Sequence, residues 1–368
     1  MVIVVSKIID VLVISEDYSD NTGKVSLQYI HTRNLEYVKQ GLSVEVLSFS
    51  CVNPYTFEGI RVIPLKTFEE ERIKYSKLIS HAPNIRNHYF FLKKNMSQFE
   101  KTIIFFHGHE VLRMSTAYPE PFSFVKKTTK FRTIMRDLYD SFKFRKWAKF
   151  IRKNNKDLIL VFVSDWMFNE FSNNLKIDKS EIIEYHIIHN SVGEYFEKNN
   201  YDFERKKEYD FITIRSSLDG SKYCIDVVNR LAHDNLDKKF LVIGKGDYFE
   251  FNNKSSNVDL INKQLKHIEI IELLNKSKYA LLPTRTDSQG VMACEMLTFG
   301  IPLITSDIPV CIEMFAENSN VVFINNDFPV LDLTDEFWYQ AIKNPKLDKF
   351  SKKNTVDKEL KIIKDEKK

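Results

Sequence analysis

Two doubly wound α/β domains are what this sequence predicts, and three features predict them. Short apolar runs of strand length recur along the chain, and helical patterns between them stop at Gly41 and at Gly300-Ile301-Pro302. A polar run from Glu197 to Lys207 reads as a linker between two such sets. The length, 368 residues with 43% hydrophobic, suits two domains of ordinary size and leaves no low-complexity block to suggest disorder.

Taken in order, Ile8 to Ile14 is a strand, Asn34 to Gln40 lies in a helix ended by Gly41, and Val44 to Phe49 is a second strand, a βαβ opening. Further short strands are expected at Ile60 to Pro64, Thr102 to Phe106, Leu158 to Val163 and Ile182 to Ile188. The second set starts at Phe211 to Ile214 and continues through Phe240 to Ile243, Tyr279 to Leu282, Leu303 to Thr305 and Val321 to Ile324. The expected domains are therefore 1–198 and 199–368, with the last helix packing back on the first.

Four cysteines, at 51, 224, 294 and 311, form no C-x-x-C pair, so neither a zinc site nor a disulfide framework is indicated, and a reducing cytoplasm is the expected setting. The apolar start is short and broken by Lys7 and Asp10, which reads as a first strand and not as a signal peptide or membrane span.

The most informative segment is Pro283-Thr284-Arg285-Thr286-Asp287-Ser288-Gln289-Gly290-Val291-Met292-Ala293-Cys294-Glu295. It joins the strand Tyr279 to Leu282 to an apolar helix, Val291 to Phe299, which Gly300-Ile301-Pro302 stops before the next strand. The amides of Gln289, Gly290, Val291 and Met292 then lie at a helix N-terminus, where free N–H groups and the helix dipole favour a phosphate. Asp287 precedes that terminus and Glu295 follows it, two carboxylates eight positions apart.

These residues resemble the family-4 retaining glycosyltransferases, whose signature is a carboxylate, seven intervening residues and a glutamate, opening such a helix. Asp287 stands where that family usually has glutamate, a change that shortens the reach by one methylene and keeps the charge. The resemblance implies the GT-B architecture, two Rossmann-like domains facing a cleft, and transfer of a hexose from a nucleoside-diphosphate sugar, UDP in preference to GDP. The implied acceptor is a hydroxyl of a surface glycan or of a lipid-linked precursor. In the family an arginine and a lysine in the loop after the first strand of this half grip the donor diphosphate, and Arg215 and Lys222 fall on those positions. A guanidinium holds two phosphate oxygens at once and an ammonium adds a compact charge, which suits a leaving diphosphate; a solvated surface loop is the plain alternative. Asp287 would orient the sugar hydroxyls and Glu295 hold the ribose. Gly244-Lys245-Gly246 reads as a tight turn nearby.

In the first half, the strand Thr102 to Phe106 ends in His107-Gly108-His109-Glu110. The resemblance places a sugar-contacting histidine at His107, with His109 in a core or capping role. Zinc is the competing thought, but no third distant ligand accompanies this pair, and the chain has no Asp-x-Asp triplet. No metal and no cofactor are expected. Gly23 corresponds to the one surviving glycine of the family's phosphate-approaching loop, where Asn21 or Thr22 would otherwise serve as a helix cap. Val163-Ser164-Asp165 and His189-Asn190-Ser191 match two further family landmarks.

Residues 126–156 carry twelve lysines and arginines interleaved with Phe131, Ile134, Leu138, Phe142, Phe144, Trp147, Phe150 and Ile151, and read as a basic, aromatic helix pair. Such a surface suits an anionic membrane and would place the protein peripherally on its inner face. A solvated helix with a buried aromatic stripe is the plain alternative. Nucleic acid is not an expected partner, because the net charge is only +4 and no nucleic-acid motif accompanies the cluster. Two other functions fit the same fold: a nucleotide-sugar epimerase, and a non-catalytic subunit that binds glycan beside a partner enzyme.

Overall fold

The computed structural model describes residues 8–22, 26–126, 129–343 and 346–365. They form two compact units: the described residues of Met1–Arg113, Asp137–His189 and Thr355–Lys368, and those of Met114–Arg136 and Asn190–Asn354.

The first unit is built on an eight-stranded sheet. Its strands are β1 Ile9–Ser15, β2 Val44–Ser48, β3 Tyr55–Phe57, β4 Ile60–Ile63, β5 Tyr75–His81, β6 Lys101–Phe106, β7 Leu158–Phe162 and β8 Tyr185–Ile187. Their order is β3-β4-β2-β1-β5-β6-β7-β8, parallel throughout except for the β3/β4 hairpin. Strand β5 carries no apolar run, which is why sequence pattern alone does not show it. Its Lys77 is buried between Glu100 at 2.9 Å and Asp365 at 2.5 Å, so a polar strand occupies the centre of the sheet with its charge paired.

Helix α1 runs Gln28–Lys39, six residues earlier than its apolar pattern suggests. The buried face of its first turns is polar. His31 Nδ1 lies 2.8 Å from the Tyr18 hydroxyl, and Asn34 donates to that hydroxyl at 3.1 Å. Arg33 donates from Nε to Glu359 at 2.8 Å, and Glu359 also accepts from the Tyr37 hydroxyl. Since α1 starts after Leu27, neither Asn21 nor Thr22 caps it. Helix α2, Lys130–Asn154, is one continuous helix of 25 residues and not a pair. No glycine or proline interrupts it, and its apolar residues fall on both faces, which reads in sequence as two patterns. Helix α3, Asp165–Leu175, is capped by Ser164, whose Oγ accepts from Met167 N at 3.1 Å.

The second unit has a six-stranded, all-parallel sheet of β9 Tyr209–Ser217, β10 Phe240–Lys245, β11 Val258–Ile261, β12 Ser277–Leu282, β13 Leu303–Ser306 and β14 Val321–Ile324. The order β11-β10-β9-β12-β13-β14 is that of a Rossmann sheet, with connections reversing direction between β9 and β12. Helix α4, Ile225–Asp234, buries Ile225, Val228, Leu231 and Ala232 against it, and helix α5, Val291–Phe299, is buried from Ala293 onward. The run Glu197 to Lys207 is not a free linker: Tyr201 is buried and donates to Ser277 O at 2.7 Å. Helix α6, Lys352–Ile363, supplies Val356, Leu360 and Ile363 to the core of the first unit.

Candidate functional site

At the switch point of a doubly wound sheet, the chain leaves adjacent strands in opposite directions and opens a crevice at their carboxyl ends. Here that point lies between β9 and β12. Arg215 sits inside β9, not in the loop after it, because the strand continues to Ser217. Its side chain is 9% exposed and crosses the switch point, Nη2 donating to Pro283 O at 2.5 Å. Nε is buried and has no hydrogen-bond partner among the described residues, and burial pulls the guanidinium's pKa down. A buried cation in this condition is costly unless an anion completes it.

Lys222 belongs to a short 3-10 turn, Ser221–Tyr223, that follows β9. Its ammonium lies 4.7 Å from the centre of the Tyr223 ring, and the Arg215 guanidinium lies 5.3 Å from the same ring. No described carboxylate pairs with either cation. One tyrosine ring therefore has two positive groups within 5.3 Å of its centre, a pair of cations suited to a diphosphate. Gly244 makes this possible from below, since a Cβ there would stand 2.4 Å from Arg215 O.

The elbow after β12 is stitched to the same turn. Arg285 N donates to Lys222 O at 2.9 Å, and its guanidinium makes a bidentate pair with Asp226, at 2.9 and 2.6 Å, while Nη1 also reaches Ser221 O at 2.7 Å. Thr284 N donates to Ser306 Oγ at 2.8 Å, and Asn326 Nδ2 donates to Thr284 O at 3.0 Å. Sequence reading assigned Arg285, Asp226, Ser306 and Asn326 no role. They meet only after β9, β12, β13 and β14 align, and the sole signal in the sequence is the arginine inside the Pro283–Glu295 motif.

Asp287 closes the elbow on itself. Its Oδ1 accepts from Ser288 N at 2.7 Å and Gln289 N at 3.2 Å, leaving Oδ2 without a partner among the described residues. The Gln289 amide, expected to face a phosphate, is thus directed at Asp287. Its buried side chain accepts from Asn190 N at 2.6 Å and donates to Asn190 O at 3.0 Å, a structural pairing. Gly290 precedes α5 with φ 75°, in the left-handed region where glycine is unstrained, and offers no capping side chain. The first-turn amides of Val291 and Met292 have no intrahelical acceptor in such a helix. Glu295 is 8% exposed, and burial raises its carboxyl to about 7 despite a hydrogen bond from Gly193 N at 3.3 Å.

The second unit thus brings Arg215, Lys222, Asp287, Gly290, Val291 and Met292 to one pair of strand ends, with Glu295 further along α5. His107 belongs to the first unit. It follows β6, its Nε2 is 3.1 Å from His81 Nδ1, and its ring stands 4.5 Å from that of Tyr29. Burial holds His81 well below the ordinary imidazole range. His109 is exposed and does not fill a core position; its carbonyl accepts from Lys143 at 2.9 Å. Glu110 accepts instead from the amides of His107 and Gly108. Gly23 lies outside the described residues.

Residues 212–336, which contain the strand ends just described, match the family model described as Glycosyl transferases group 1. This segment carries a glycosyl transferase group 1 domain. In structure the chain is similar to sucrose-phosphate synthase from Thermosynechococcus elongatus, with TM-score 0.63 and 10% identity over 97% of this chain and 98% of that one. It is similar to WaaG, a glycosyltransferase involved in lipopolysaccharide biosynthesis, with TM-score 0.62 and 14% identity over 96% and 99%. A glycosyltransferase from Rickettsia africae ESF-5 gives TM-score 0.62 and 14% identity over 97% and 98%. At these identities the likeness is one of fold, and that fold is GT-B. No curated protein sequence matches the chain.

Proposed function

We propose that this protein is a retaining glycosyltransferase of the family-4 type, which moves a hexose from a nucleoside-diphosphate sugar, UDP in preference to GDP, to a hydroxyl of a surface glycan or lipid-linked acceptor. The observation that carries this reading is Arg215: buried, without a partner at Nε among the described residues, bridging β9 and β12, and near the same Tyr223 ring as Lys222. That arrangement is completed by a diphosphate whose negative charge grows as it leaves. The bond from the anomeric carbon to the diphosphate oxygen breaks, its electron pair departing with the diphosphate. The acceptor oxygen bonds to the same face of that carbon, and its proton passes to the departing phosphate. Asp287, through its open Oδ2, orients the sugar hydroxyls, the amides of Val291 and Met292 face the phosphates, and Glu295 holds the ribose. The reaction runs on these groups without a metal, at the inner face of a membrane where a lipid-linked acceptor is presented.

Thermal shift across nucleotide sugars identifies the donor, because a ligand of the native state raises stability. Nuclear magnetic resonance of the product with candidate acceptors then reads the anomeric configuration. Donor isomerised without an acceptor would assign an epimerase, binding without turnover a non-catalytic subunit, and loss of activity in EDTA with rescue by manganese would refute the metal-free step.

A further inference from the structure

Helix α2 turns a second chemistry outward. At about 100° per residue, Phe131, Ile134, Met135, Leu138, Phe142, Arg145, Lys146, Lys149, Arg152 and Lys153 all fall within an arc of about 120°. All ten are exposed, Phe131 at 71% and Leu138 at 60%. The opposite face, Asp140, Phe144, Trp147, Ala148 and Ile151, is buried. The outward face is therefore apolar over its first half and cationic over its second.

The cations have little else to do. Arg152 pairs with Glu181 at 2.6 Å, but Arg145, Lys146, Lys149 and Lys153 have no carboxylate partner among the described residues. Lys149 and Lys153 form a ridge between two cavities. One, of about 800 Å³, has cations from Arg113, Arg145 and Lys176 around a floor of Phe144, Ala148 and Leu175. The other, of about 610 Å³, adds Lys93 and Lys146 over Phe99 and Phe150, with Asp157 the one carboxylate in its wall. An occupant must bring anionic groups to the rim and apolar matter beside it.

We propose that α2 docks on an anionic phospholipid bilayer, its Phe131 to Phe142 face entering the acyl boundary and the Lys149/Lys153 ridge receiving lipid phosphates in the two flanking cavities. The charge pattern and the apolar stripe on one arc select this occupant over nucleic acid, which gives exposed leucine, isoleucine and methionine nothing to bury against. The inference deepens the peripheral placement proposed above. Its test reads binding alone, so its failure leaves the transferase reading standing.

The test is co-sedimentation with vesicles of phosphatidylcholine alone or mixed with phosphatidylglycerol. Binding is expected only to the mixed vesicles and should fade as salt rises. Each cation near such a surface is worth about fivefold in affinity, so Lys149→Glu with Lys153→Glu should weaken binding about thirtyfold or more. Phe131→Ser with Leu138→Ser should release the protein even at low salt, and both double variants change exposed positions, so their melting should match the wild type. Equal pelleting with both vesicles, pelleting with neither, unchanged binding by the lysine variant, or single-stranded RNA held at salt that releases the vesicles would overturn the proposal.

Discussion

Replacing Arg215 by methionine separates what the buried guanidinium does for a ligand from what it does for the fold. In the free protein Arg215 is 9% exposed, and its guanidinium donates to Pro283 O. Leaving water costs such a cation several kcal/mol, of which one charged hydrogen bond returns about 1.5 to 3. Methionine keeps most of the side chain's length and removes the charge, at the cost of an unpartnered Pro283 carbonyl. The difference comes to about 1 to 2 kcal/mol in favour of the variant. Its Tm without ligand should therefore rise, by about 2 to 4 °C per kcal/mol for a unit of this size. Donor binding should move the other way. A ligand at one hundred times its Kd stabilises the wild type by about 2.7 kcal/mol. Loss of the diphosphate contact weakens binding about a hundredfold, which leaves about 0.4 kcal/mol at the same concentration. Calorimetry with and without UDP-sugar measures both. A variant that melts well below the wild type refutes the uncompensated-charge argument, and one that keeps the full ligand shift refutes the diphosphate site.

Lys222→Ala should lower turnover about a hundredfold while leaving Tm nearly unchanged, because among the described residues its ammonium has only the Tyr223 ring, at 4.7 Å; near-normal turnover in steady-state kinetics would count against the site. Glu295, raised to about 7 from 4.5, stabilises the fold fully below pH 4.5, and this contribution is lost as pH rises through about 7. Glu295→Gln should flatten that dependence and melt higher at pH 8, by roughly 3 kcal/mol, in denaturation at several pH values. Gly244→Ala puts a Cβ 2.4 Å from Arg215 O and should destabilise the second unit by about 1 to 3 kcal/mol, with donor affinity falling alongside, both read by ligand-dependent melting. Glu359→Ala removes the buried carboxylate that accepts from Arg33 Nε and the Tyr37 hydroxyl and should cost about 3 to 5 kcal/mol in urea unfolding, more than an exposed ion pair such as Lys66–Glu70.

By itself the sequence determined the elements whose signal is local. Strands β9, β10, β12 and β13 are buried on both faces over most of their length and, with the partly buried β14, read as short mainly apolar runs, and Gly290 and Gly300 mark both ends of α5. The motif from Pro283 to Glu295 was legible for the same reason, since strand, elbow and helix start lie within thirteen residues. Tertiary structure decided everything whose partner is distant in the chain. Strand β5 and the first turns of α1 carry Lys77, His31 and Arg33 where pattern asks for apolar residues, and distant partners such as Glu100 and Asp365, Tyr18 and Glu58, and Glu359 make those positions tolerable. Asn190 takes the Gln289 side chain and Asp226 meets Arg285, pairings that no local pattern shows. A buried polar group is stable only with its partner, and one strand of sequence does not say which partner the fold will bring.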